Sequence, residues 1–151
     1  MSDATTGAPK ESYRPLLQIA AFCEKVLEEK DGVLSLIRVV NRITVRGSGK
    51  EMPKLPVNLV LVVSFKSGFM RGKTAIRIKP FTPRGQQLPV IEFPALFEGD
   101  DRGVNFVYGL TVMTEEEGLY WFDICVEDEQ VTRLPLRVIY LPAPTAGPAQ
   151  G

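Results

Sequence analysis

The chain has 151 residues, 18 Lys plus Arg against 18 Asp plus Glu, and no histidine. A domain of this length buries a core without staples, and its zero formal charge speaks against nucleic acid, whose binders need a basic excess to release phosphate counterions. Without histidine there is no Ser-His-Asp or Cys-His nucleophile, no His-ligated zinc and no histidine general base, so the sequence points away from an enzyme and calls for no cofactor.

In chain order, residues 1–14 are small and polar and read as a disordered leader. They lack the basic stretch and apolar run of a signal peptide. Residues 16–29 suit two readings. Ile19, Phe22, Cys23 and Val26 recur at helical spacing, yet the segment also reads as a strand paired with residues 33–45 across Lys30-Asp31-Gly32, and the strand is preferred. Gly47-Ser48-Gly49-Lys50 fails as a phosphate loop, because Thr44 stands where the first glycine belongs and Glu51 follows the lysine. It reads as a linker running on through Pro53 and Pro56.

The body then alternates with period two, which lines one face of a strand with apolar side chains. Val57, Leu59, Leu61, Val63 and Phe65 make one such face, and Ile76 with Ile78 another. Ile91, Phe93, Ala95 and Phe97 make a third, where Pro94 marks an edge or a bulge. Val104 to Val112, Tyr120 to Val126 and Leu134 to Tyr140 complete the set. Turn signals fall between them at Ser67-Gly68, Arg84-Gly85, residues 98–103, Glu117-Gly118 and residues 127–129. The expectation is an all-β antiparallel β-sandwich of about eight strands, immunoglobulin-like or C2-like, over residues 15–141. Residues 142–151 carry three prolines and no charge and read as a flexible tail.

Cys23 and Cys125 sit in apolar runs. A disulfide between them would close a loop of roughly a hundred residues, but Cys125 shares its strand face with Asp123 and Glu127 whereas Cys23 sits among Leu17, Ile19 and Ala21. Free thiols are the preferred reading, and with them a cytoplasmic location.

Three features invite a functional reading. Ser67-Gly68-Phe69-Met70-Arg71-Gly72 lies between two strand patterns and reads as an exposed hairpin, with Phe69 and Met70 at its tip and Lys66, Arg71 and Lys73 around them. Such a tip suits a protein partner, with a membrane surface as the lesser expectation. The bland alternative is that Phe69 folds back over the core. Trp121 lies on the face opposite Tyr120 and is either an exposed anchor or covered by a second layer or a homodimer. Glu98, Asp100 and Asp101 form one of several acidic turns, and calcium there is a weak alternative to plain solvation.

Three stretches together carry a resemblance. They are Phe22-Cys23-Glu24-Lys25-Val26 followed by residues 31–40, Val63-Ser64-Phe65-Lys66-Ser67-Gly68 with Arg71-Gly72, and Gly118-Leu119-Tyr120-Trp121-Phe122-Asp123 running to residues 134–138. The chain resembles a family of bacterial proteins known only as a domain of unknown function. The resemblance implies a compact cytosolic β-sandwich and offers no catalytic residues. Similar sequences often carry glycine where Arg38 stands here.

The functional expectation is a non-enzymatic module that binds a protein partner or self-associates through edge strands and the Phe69–Met70 hairpin. The alternative is a C2-like calcium- or lipid-surface-binding module.

Overall fold

The computed structural model describes residues 14–142; the expected leader and tail, residues 1–13 and 143–151, lie outside them. Seven strands and no helix make up the described chain: β1 (Leu16–Glu28), β2 (Leu34–Val40), β3 (Arg42–Gly47), β4 (Leu55–Phe81), β5 (Ile91–Thr114), β6 (Gly118–Val126) and β7 (Glu129–Pro142). They form one continuous sheet in the order β2-β1-β4-β6-β7-β3, with β5 also paired to β4.

β4 explains why one sheet can enclose a core. Along one edge it pairs with β5 from Leu55↔Thr114 to Ile78↔Ile91. Its other edge changes partner, from β1 over residues 60–66 to β6 over residues 76–81. Between these stretches the register with β5 slips twice, at residues 66–68 and 68–71, and there the long hairpin creases. Two halves result. The first holds β2, β1 and residues 55–66 and 103–114; the second holds residues 71–81 and 91–98 with β6, β7 and β3. The sheet curls so that the apolar faces of both halves share one core, where Phe22 of β1 meets Phe122 of β6 edge to face at 4.9 Å. The alternating residues read from the sequence are that core: Leu61, Val63 and Phe65 from the first half, and Ile76, Ile78, Tyr120, Phe122, Ile124 and Leu136 from the second.

Local chemistry places the turns. Gly32 holds a φ of 86° and donates its amide to the Glu29 carbonyl at 2.9 Å, while the Asp31 carboxylate accepts the Val33 amide at 3.1 Å. β1 therefore pairs with β2 as a strand across this turn, from Glu28↔Leu34 to Phe22↔Val40. The β4–β5 turn closes through the Gly85 amide on the Thr82 carbonyl at 2.8 Å. The β3–β4 linker is pinned where Tyr140 donates its hydroxyl to the Gly49 carbonyl at 2.7 Å, and a Cβ on Gly47 would strike that ring.

Three expectations need correction. The strand count is seven rather than eight, and the sheet is a single curled one rather than two separate layers. Residues 33–45 are not one strand, because the chain breaks at Asn41 and β3 crosses to pair with β7, in parallel rather than antiparallel. Finally, neither residues 67–72 nor 98–103 form a turn. Both lie inside strands, opposite one another, with Gly68 against Asp100 and Arg71 against Glu98. Phe69 and Met70 therefore sit at no hairpin tip; the turn that joins β4 to β5 is at residues 82–90.

Candidate functional site

The crease gathers four of the five residues expected to bind a partner. Gly68 and Gly72 take φ of 61° and 115°, which lets β4 deform without losing its partner. Ser67 is fully buried; it donates to the Arg102 carbonyl at 2.7 Å and accepts the Glu98 amide at 3.2 Å, tying the two strands where the ladder is irregular. Phe69 is 70% exposed and does not fold over the core, whereas Met70 is half-buried and packs against it. Lys66 is exposed. Arg71 donates to the Glu98 carbonyl at 2.7 Å and lies 3.7 Å from the Asp100 carboxylate, its guanidinium covering Gly99. Phe69, Lys66 and Arg71 are thus exposed, with Arg71 held along β5, whereas Met70 turns inward.

The acids suggested for calcium are spent differently. Asp100 faces Arg71 and Glu98 faces Arg102 at 3.8 Å. Among the described residues no group of three or more His, Cys, Asp or Glu is arranged to hold a metal ion.

Trp121 belongs to another surface. It pairs with Phe81 and Pro135 on the outward face of the second half. The Arg133 guanidinium lies over its ring at 4.8 Å and also donates to the Asp123 carboxylate at 2.6 Å. Further along this face Arg77 bridges Glu92 at 3.0 Å and Asp128 at 3.1 Å, and both carboxylates hold its guanidinium protonated. Cys125 is buried beside these chains; burial pushes its thiol up, with Lys79 pulling it partly back. Long side chains of this chain cover the face, and no second layer does.

The outward face of the first half differs, and the sequence reading missed it. The strand register sets Ile37 and Val39 of β2 beside Lys25 and Cys23 of β1, then Val60 and Val62 of β4, then Gly109 and Val107 of β5. Cys23 and Val62 are fully buried yet belong to no part of the main core. Around them Val39 is 61% exposed, Val107 45%, Leu27 41%, Ile19 40% and Ile37 37%. Lys25 stands among them opposite Ile37, Lys66 lies at the β4 end, and Cys23 stays a free thiol pushed up by burial. The signal was in β4, where Val60 and Val62 between Leu59, Leu61 and Val63 make both strand faces apolar.

A groove of about 420 Å³ opens between the halves along β5, lined by Pro80, Leu88, Ile91, Tyr108, Leu110 and Met113 among others, without a charged residue.

These features define a class: a single-sheet all-β domain built around a creased long hairpin. The chain belongs to a family of unknown function, DUF6941, whose model matches residues 18–139. No curated protein matches the sequence. Among solved structures, an immunoglobulin-like protein from Pseudomonas aeruginosa is 14% identical, with 84% of this chain and 98% of that chain covered at a TM-score of 0.42. So loose a likeness carries no weight for topology, and the fold stands on the strand pairing above.

Proposed function

We propose that the protein is a non-enzymatic interaction module, an immunoglobulin-like sandwich in its working sense, with the two halves of the curled sheet acting as its layers. One observation carries this: the first half exposes apolar side chains on β1, β2 and β5 of its outward face, opposite the core. The five exposed residues present roughly 400 Å² of apolar surface, the size of the largest patches on monomeric proteins, which are often functional. Lys25 and Lys66 are the cations of this face, and Phe69 adds a projecting aromatic at the crease. A protein partner with an apolar centre fits this surface. Two free, buried thiols suit a reducing compartment.

The test is a pull-down from native lysate with wild type beside Ile37→Lys, Val39→Lys, both side chains of β2 being exposed enough for the variant to fold. Proteins held by wild type and lost by the variant are the expected result. Equal retention by both forms, at equal melting temperature, would remove this face from the function.

A further inference from the structure

We infer that the outward face of the first half takes an acidic protein segment, one whose carboxylates flank apolar side chains. This rests on the interaction-module reading and names the chemistry of its partner. Alternation sets which residues face outward: odd positions from Ile19 to Leu27 on β1 and from Ser35 to Val39 on β2, even positions from Asn58 to Lys66 on β4, and odd positions from Asn105 to Met113 on β5. Those positions hold two cations, Lys25 and Lys66, both exposed, and no carboxylate. The chain as a whole has as many acids as bases. The other outward face follows that balance, since Arg77 meets Glu92 and Asp128 while Arg133 meets Asp123. This one does not.

The uncharged polar residues lean the same way. Ser64 donates to Asn105 Oδ1 at 2.6 Å, and Thr111 donates to Asn58 Oδ1 at 2.7 Å. Each asparagine thus engages its amide oxygen within the sheet and offers its N–H2 as a donor. Nearby acids are turned away or engaged. Glu24 and Glu28 lie on the Phe22 side of β1, with Glu24 paired to Arg38 at 2.8 Å, and Asp31 accepts the Val33 amide. Aliphatic side chains set among donors are complemented by apolar groups set among acceptors. The register also gives a spacing. Lys25 lies level with Asn58, eight residues along β4 from Lys66, so the two cations bracket an apolar stretch of about 25 Å.

Charge disfavours the other occupants. A second copy laid face to face would set four lysines together with no carboxylate between them. An anionic membrane would gain only about 1 kcal/mol from each lysine, and none of the outward positions holds an aromatic side chain to seat among headgroups.

The test is a selection of random short peptides displayed on phage against the immobilised full chain, followed by affinities of the enriched peptides made synthetically. Wild type is expected to enrich peptides that set Asp or Glu beside Val, Leu, Ile or Phe, and salt raised from about 50 to about 500 mM should weaken them several-fold. Lys25→Glu, Lys66→Glu should weaken them by more than about tenfold at an unchanged melting temperature. Lys50→Glu, a like change of charge in the β3–β4 linker, should alter affinity by less than about twofold. No enrichment, enrichment of neutral or basic peptides, or equal binding by wild type and the double variant would each overturn the inference. So would sedimentation of wild type with phosphatidylcholine–phosphatidylserine vesicles that the double variant loses, which assigns the face to a membrane. A light-scattering dimer lost in Ile37→Lys, Val39→Lys would overturn it in favour of a second copy. In the lysate pull-down, proteins lost by Ile37→Lys, Val39→Lys but kept by Lys25→Glu, Lys66→Glu would leave the interaction module standing and remove the acidic partner alone.

Discussion

The two outward faces of this sheet make an instructive pair. Each carries one cysteine, and each cysteine is buried and free. In the second half the surroundings are long and charged: Arg77 spans Glu92 and Asp128, Lys79 pairs across from Asp123, and Arg133 covers Trp121. In the first half the surroundings are Val39, Val60, Val62 and Ala21, with Lys25 the one charged neighbour along β1 on that face. Both faces began as a strand's second side, with no core to pack on. Aliphatic stems with charged heads seal one of them against water, whereas the other still holds apolar area that association can bury. A sheet face need not be polar to be finished, but it must be closed by its own chain or by another.

The sharpest way to break this comparison is to separate the halves. Phe122 is fully buried and meets Phe22 where the halves touch. Phe122→Ala should cost about 3–5 kcal/mol and lower one cooperative transition, read by both near-UV dichroism and Trp121 fluorescence. Two transitions would mean that the halves are independent units.

A smaller effect probes the closed face alone. Arg133→Met leaves the Asp123 carboxylate, 8% exposed, without its 2.6 Å partner and uncovers Trp121. The expected loss is about 1–2 kcal/mol, with a red-shifted tryptophan emission. An unchanged emission would show that the arginine is no lid.

The smallest effect concerns pH. Glu127 accepts the Thr74 hydroxyl at 2.6 Å and the Ala75 amide at 2.8 Å, and these bonds hold its carboxyl below the ordinary value of 4.5. A depressed carboxyl stabilises the fold above its unfolded value and loses that contribution as pH falls through the folded one. Glu127→Gln should therefore flatten the stability curve below about pH 4.5 and leave both outward faces as they are at neutral pH. A steeper acid limb in the variant would contradict the assignment.

How much of this was legible in the residues depended on how local the cause was. The β1–β2 hairpin was readable because Asp31 and Gly32 set the turn themselves. The core was readable because alternation is a property of the strand alone. The crease was not. Gly68 and Gly72 look like a turn, and so do Gly99 and Gly103, because each pair was read in isolation. Side by side, the two stretches tolerate each other's irregularity, and a Cβ on Gly103 would run into the Phe65 carbonyl. The glycines serve close approach within a ladder rather than reversal of the chain. That error moved Phe69 from a hairpin tip to mid-strand without changing its exposure. Arg38 likewise gave no sign in the residues of its φ of 57°, the left-handed region that glycine favours. The parallel pairing of β3 with β7 left no local trace at all.

That pairing has a consequence for how the molecule is made. The β4–β5 hairpin closes around its own turn and can zip without the rest of the chain, and β1 with β2 is already at hand beside it. β3, however, lies next to β2 in sequence and can find its partner only after β4, β5, β6 and nearly all of β7 have been synthesised. Non-local pairings of this kind are slow to form. During translation β3 therefore has no partner to pair with, and Arg42 and Arg46 put charge near both of its ends, the kind of flanking residue that discourages an apolar segment from aggregating.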